Sequence, residues 1–336
     1  MSLKTIFTLL RVPHLRANLG LTRDVQSFLR LHFLSAAVET GLLDALKTPA
    51  TKEELAQSLS TERAELLNVL LDLGVSLGEL SRVDGHYQIH GRLARALTAS
   101  DGDPLAAMIQ EYIVLHGSAF QHLAKRLHGA PLGDDLEETG ALIARSSRIL
   151  EPFVANFVRD ILPPHQPMRL LEIGCGSGVY LRYAADRNQH VTGFGIDLQE
   201  AVVKQATANL QHWGIDRRFA ILQGDIRNPP AELEGTFDLI TLYNNIYYFA
   251  FTDRPRLFRD LKTRLKPTGS LALVSLFRGN TISALDFDLV LRSTTGCAPL
   301  PDLNELTAQL NASEFSRVQK TQLAPREPFH GILAKE

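Results

Sequence analysis

Residues 170–181 read LLEIGCGSGVYL: an apolar run breaks into three glycines at alternate positions, and apolar residues resume. Arg169 to Ile173 is almost wholly apolar, as a strand covered on both faces must be. Gly174, Gly176 and Gly178 let the chain turn sharply and let a ligand touch the backbone. The helix expected from Val179 then turns its free N–H groups toward the same place. Strand, glycine loop and helix in this order open a doubly wound parallel sheet.

Three kinds of ligand compete for such a loop. A P-loop needs lysine and then serine or threonine after its last glycine, and Val179-Tyr180 stand there. A dinucleotide fingerprint needs glycine at its sixth position. Counted from Gly174 that position is Val179, and from Gly176 it is Leu181. The third is an adenosyl cofactor without phosphates, which E-x-G-x-G-x-G from Glu172 to Gly178 suits. The loop holds no lysine or arginine, so nothing in it asks for phosphate.

The following segments alternate strand and helix. HVTGFGID ends at Asp197, followed by Leu198, and an acid at that strand end can accept both ribose hydroxyls. FAILQGD ends at Asp225, with Ile226 next; a carboxylate beside an apolar side chain offers adenine an amine acceptor and a packing face. FDLITLY ends at Tyr243 and Asn244, and SLALVSL follows the turn LKPTGS. These residues fall at carboxyl ends of strands, where open α/β sheets bind ligands. ASEFSRVQKTQLA and FHGILAKE read as two last strands.

The ordered set LLEIGCGSG, GIDL, GDI, FDLITLYN and LKPTGSLAL resembles class I S-adenosylmethionine-dependent methyltransferases over roughly the last half of the chain. With its helical front, the whole is similar to bacterial small-molecule enzymes of the O-methyltransferase type. The resemblance implies a Rossmann-like sheet closed by an antiparallel pair, S-adenosylmethionine as cofactor, and a homodimer joined through the N-terminal domain. It implies that Gly174, Gly176 and Gly178 line the cofactor, that Asp197 takes the ribose with Leu198 beside it, that Asp225 takes the adenine amine with Ile226 beside it, and that Tyr243 and Asn244 lie near the methionine part.

One departure bears on the acceptor. Such enzymes carry a histidine shortly after the fourth strand, before a Trp-Ser-Asp-like stretch. Matching Thr252-Asp253 to that Ser-Asp puts Phe249 in the histidine's place, and no histidine occurs between His212 and His330. Either a base comes from elsewhere, with His116, His122 or a tyrosine such as Tyr248 as candidates, or the acceptor is a carbon, nitrogen or ionised thiol that needs no strong base. Tyr243, Asn244, Asn245, Tyr247, Tyr248 and Phe249 form a polar and aromatic cluster suited to a planar or oxygenated acceptor. His116, His122 and His128 recur every six residues, a spacing that does not place them on one helix face, so no metal site is expected. Cys175 reads as packing. ALDFDLVLRSTTG reads as a helix over the acceptor pocket, with Asp286, Asp288 and Arg292 facing acceptor or solvent.

The front of the chain reads as helices and one hairpin. Phe33–Leu46 has helical spacing, Thr51 and Glu54 form a capping-box pattern, and Asp84-Gly85 joins two short β-prone runs. Helix, helix, hairpin is the order of a winged-helix unit. Its second helix, TERAELLNVLLDLG, has one arginine against three acids and a leucine stripe, which suits protein packing and not phosphate contacts. From Pro104 to Leu162 two long periodic helical segments follow, and the three prolines of ILPPHQPM close them. We expect a winged-helix-like dimerisation domain over 1–103, connecting helices that cover the active site over 104–165, and a cofactor-binding domain over 166–336.

A net charge of −2 gives no global field for nucleic acid or an anionic membrane. Two cysteines cannot build a disulfide framework, and a reduced, cytoplasmic compartment is the simplest expectation. Ile6 to Leu10 is too short for a signal core and reads as an arm that packs on a partner subunit; no apolar stretch is long enough to span a bilayer. The sequence thus points to methyl transfer onto a small molecule. Oxygen is the first acceptor by family, and carbon or nitrogen follow because of Phe249. A cofactor-binding winged-helix regulator without catalysis and a nicotinamide-dependent oxidoreductase are the alternatives.

Overall fold

The computed structural model describes residues 8, 11–134 and 136–336, with side chains left out at 136–138. The expected arm over Ile6 to Leu10 therefore lies outside the described residues, apart from Thr8. The chain divides into two compact units, Met1–Val114 and Leu115–Glu336.

In the first unit, helices Leu15–Glu39, Leu42–Ala45, Lys52–Ser58 and Ala64–Ser76 precede the hairpin β1 (Leu80–Val83) and β2 (His86–Ile89), and Arg92–Leu97 and Asp103–Glu111 follow. The capping box forms as expected: the Glu54 N–H donates to Thr51 Oγ1 at 3.3 Å, and the Thr51 N–H donates to Glu54 Oε2 at 2.8 Å. Asp84 and Gly85 both take positive φ, 49° and 81°, as a two-residue hairpin turn with matching strand twist demands. Phe33, Leu34, Leu42, Leu55, Leu71 and Leu80 form the core of this unit. Helix Leu15–Glu39 leaves Leu19, Leu21 and Phe28 largely exposed, and Ala64–Ser76 leaves Leu66 and Val69 so.

The second unit holds a seven-stranded sheet: β3 (Met168–Ile173), β4 (Val191–Asp197), β5 (Phe219–Gln223), β6 (Phe237–Tyr243), β7 (Leu265–Leu276), β8 (Arg317–Gln322) and β9 (Phe329–Lys335). The order is β5-β4-β3-β6-β7-β9-β8, with β9 antiparallel to both β7 and β8. From β3 the chain steps outward through β4 and β5, then returns to β6 on the other side. The carboxyl ends of β3 and β6 therefore mark the switch point of the sheet. One apolar cluster holds Leu171, Ile240, Leu242, Leu271 and Leu273; another holds Leu170, Leu239, Ala272 and Val274. Successive residues of one strand enter different clusters, as alternation across a doubly covered sheet requires.

Four expected boundaries shift. The turn expected at LKPTGS lies inside β7, which runs from Leu265 to Leu276. The third strand stops at Gln223, so Gly224 and Asp225 stand in the turn beyond it. The helical run from Ala106 is interrupted by a π-helical turn, Tyr112–His116, before Gly117–Leu127. The run from Ala141 breaks at the 3-10 turn Ser147–Leu150, before helix Glu151–Ile161. Pro152, in the first turn of that helix, has no N–H to continue the preceding one.

Candidate active site

All three loop glycines have left-handed backbone: φ is 62° at Gly174, 52° at Gly176 and 76° at Gly178. They are not equivalent. A Cβ on Gly174 would stand 2.5 Å from Asn245 Nδ2, and one on Gly178 would stand 2.9 Å from Leu210 Cδ1. A Cβ on Gly176 would meet nothing within 4 Å. Gly174 and Gly178 thus let protein pack against the loop, and Gly176 leaves open space above it. Gly178 N-caps helix Val179–Arg187 and is not among the cavity-lining residues.

That open space belongs to a cavity of about 520 Å³ at the switch point. Its wall takes Gly174, Gly176 and Ser177 from the loop after β3, Asp197 and Leu198 from the end of β4, Asp225 and Ile226 beyond β5, and Tyr243 and Asn244 at the end of β6. Tyr247, Tyr248 and Phe249 continue it, and Gly140, Ile143, Ala144, Ser147 and Arg148 come from the helical segment before the sheet.

The charges are held firmly. Asp197 Oδ2 accepts the Gly176 N–H at 3.1 Å, and Oδ1 accepts the Gln199 N–H at 3.2 Å. The aspartate therefore pins the glycine loop while keeping lone pairs to spare. Asp225 is gripped by Arg227, whose Nε lies 2.8 Å from Oδ2 and whose backbone N–H donates to Oδ1 at 2.9 Å. The Arg227 guanidinium holds the Asp225 carboxyl below the usual range. Glu172 is buried on β3; burial first, and then the Asp197 charge, push its carboxyl well above the usual range. Burial also pushes up the Cys175 thiol, whose sulfur packs against Gly195, in line with a packing role.

Residues 170–269 match the family model of a methyltransferase domain. This part of the chain is a methyltransferase domain. The trans-aconitate 2-methyltransferase of Deinococcus radiodurans is 33% identical over 119 residues, covering 35% of this chain and 42% of that protein. The matched stretch thus spans less than half of that relative. Two solved structures share the fold over nearly the whole chain. A mitomycin 7-O-methyltransferase superposes with TM-score 0.79 at 20% identity, covering 96% of this chain and 98% of its own. Human N-acetylserotonin methyltransferase, solved with S-adenosylmethionine, gives 0.74 at 17% identity, covering 95% and 97%.

Of the residues singled out in the sequence, the methyltransferase domain brings Gly174, Gly176, Asp197, Leu198, Asp225, Ile226, Tyr243, Asn244 and Tyr248 to one cavity. Asn244 takes φ 56°, a left-handed conformation that asparagine tolerates better than most residues, directly at the strand end. His116 is not among the lining residues. It is buried in the π-helical turn, with Nδ1 2.7 Å from Asp286 Oδ2. Asp286 is thereby directed to His116. Asp288 takes Arg292 Nε and the Leu300 N–H, each at 2.8 Å, so it holds helix Ile282–Arg292 and the segment after it. Phe249 is buried in the core cluster with Ile226 and Leu257.

Sequence reasoning missed Arg148, Ser147, Ile143 and Arg227 in the cavity wall. Arg227 had a local signal, because it follows Asp225-Ile226 directly. Arg148 had none: it lies over twenty residues before the glycine loop, in a stretch that reads as plain helix.

Proposed function

We propose that this chain transfers a methyl group from S-adenosylmethionine to a small-molecule acceptor. The observation that carries the reading is the row Gly176, Asp197 and Asp225 around one cavity: open backbone at a glycine, then a carboxylate beyond each of the two neighbouring strands. That row fits an adenosine. Asp197 would accept the ribose hydroxyls, and Asp225 with Ile226 would receive the adenine. Tyr243 and Asn244 would border the methionine part, and Arg148 would face its carboxylate. The relatives and structural neighbours, methyltransferases by name, support the same reading.

The bound cofactor would supply an electrophilic methyl on a good leaving group. The chain's own work is then alignment and exclusion of water. Tyr247 and Tyr248, edge to face with centroids 4.9 Å apart, give the acceptor an aromatic wall. Among the described cavity-lining residues none is a histidine. Oxygen remains the first acceptor by family, with carbon or nitrogen close behind. Tyr248 is the residue we place nearest the acceptor, and His116, turned to Asp286, receives no part in the transfer step.

The exposed Leu19, Leu21 and Phe28 of helix Leu15–Glu39 support a homodimer made through the N-terminal unit. The exposed Leu66 and Val69 of helix Ala64–Ser76 disfavour that helix as a DNA reader. Among the described residues no helix is long and apolar enough to cross a membrane, and we place the enzyme in the cytoplasm. Calorimetric titration with S-adenosylmethionine and with NAD tests the reading. Binding of the first alone is expected; tight NAD binding with no response to S-adenosylmethionine would sink it.

A further inference from the structure

Arg148 stands in the cavity wall, and two further side chains hold it there. Its Nε donates to Glu151 Oε2 at 3.0 Å, and Glu151 Oε1 accepts the Tyr183 hydroxyl at 2.6 Å. Glu151 opens helix Glu151–Ile161, and Tyr183 belongs to the helix that continues the glycine loop. The turn of Arg148, the helix it leads into and the helix after the glycine loop therefore meet at one carboxylate, that of Glu151.

An Arg–Glu pair three residues apart is usually a surface ornament with little effect. This one differs in two ways. Glu151 is only 13% exposed, whereas the Arg148 side chain is 42% exposed, so the anchor is largely inside and the charge reaches outward. The anchor's second oxygen is also occupied, by a short charge-assisted bond that fixes the carboxylate plane. A guanidinium is planar, and a partner on Nε fixes the direction of its two terminal nitrogens. Among the described residues, neither terminal nitrogen has a hydrogen-bond partner.

We propose that Tyr183 and Glu151 are positioning residues that aim the terminal nitrogens of Arg148 at a carboxylate bound in the cavity. On the reading above, that carboxylate is the methionine end of the cofactor, and the inference rests on that reading. Burial and the bond to Glu151 push the Tyr183 hydroxyl up to about 12. It therefore stays a donor to higher pH than an exposed tyrosine does. The relay also links the carboxylate anchor to the helix behind the glycine loop, so the two ends of one ligand are set by a common element.

The test compares two ligands on the full-length protein by calorimetry. S-adenosylhomocysteine carries the amino-acid carboxylate, and methylthioadenosine lacks it. Arg148→Met is expected to weaken S-adenosylhomocysteine at least about ten-fold, the scale of a lost charge-assisted bond. Tyr183→Phe and Glu151→Gln are expected to weaken it several-fold, with methylthioadenosine held within two-fold by all three variants. Equal weakening of both ligands by Tyr183→Phe would make the tyrosine merely structural and overturn the proposal. So would unchanged S-adenosylhomocysteine binding in Tyr183→Phe and Glu151→Gln. A wild-type protein that binds both ligands equally well removes the carboxylate contact while the cofactor reading stands. A wild-type protein that binds neither removes both.

Discussion

Two parts of the cavity wall are made differently. Gly174, Gly176, Asp197 and Asp225 follow the carboxyl ends of three neighbouring parallel strands, and the register of the sheet sets their spacing. Tyr247, Tyr248, Ile143 and Gly296 come from a 3-10 turn, a helix and a loop that are far apart in sequence. The first part is fixed by backbone geometry, the second by how helices and turns pack over the sheet. The difference suggests a fixed donor site beside an acceptor site that can vary without disturbing it.

The largest expected effect falls on the strand-end part. Asp197→Ala removes the acceptor of the Gly176 N–H and the acceptor we propose for two ribose hydroxyls. It should cost on the order of 3 kcal/mol in S-adenosylhomocysteine binding by calorimetry. Unchanged affinity would mean that the end of β4 does not hold the ribose.

The glycines sharpen the comparison within that part. Gly174→Ala and Gly176→Ala share a backbone strain of roughly 1–2 kcal/mol. Only the first drives a Cβ to 2.5 Å from Asn245 Nδ2, which donates to the Ile173 carbonyl. Gly174→Ala should therefore lose about 1 kcal/mol more stability in urea melts than Gly176→Ala. Gly176→Ala, with open space above it, should show the larger loss in ligand binding relative to its loss in stability. The reverse order would put the cofactor over Gly174.

Glu172 gives a pH-dependent test of comparable size. Its carboxyl is raised above the ordinary 4.5 by burial and by Asp197. Its contribution to stability is thus present below that value and lost as pH rises toward the folded-state value. Glu172→Gln escapes this loss. The variant should gain on the wild type as pH rises above about 4.5, by about 1.4 kcal/mol per pH unit while the folded carboxyl stays protonated. A constant difference across that range would contradict a buried, neutral Glu172.

The smallest effect belongs to the acceptor part. Tyr248→Phe should leave S-adenosylhomocysteine affinity within about 0.3 kcal/mol, since the residue is 37% exposed and its ring packs edge-on to Tyr247. A large loss would merge the two parts of the wall into one site.

The strand-end part was legible in the sequence because its rules are local. Glycines, strand-terminal acids and an apolar run carry their meaning within a few residues of each other. Even there, the sequence treated three glycines as alike, and only their packing partners separate Gly176 from Gly174 and Gly178. The tyrosines after β6 were legible as an aromatic cluster, but the helical side of the wall was not, because nothing near Arg148 signals that it lines the same cavity as the glycine loop. His116 is a candidate base in the sequence, but the turn that holds it is π-helical and buries its imidazole against Asp286. The spacing of an ordinary helix could not foretell that geometry.

A crystal structure with S-adenosylhomocysteine tests the central claim most directly. The account predicts the ribose hydroxyls on Asp197, the adenine beside Asp225 and Ile226, and the thioether end toward Tyr243 and Asn244. A ligand seated elsewhere, or in this cavity with Asp197 unengaged, would contradict it.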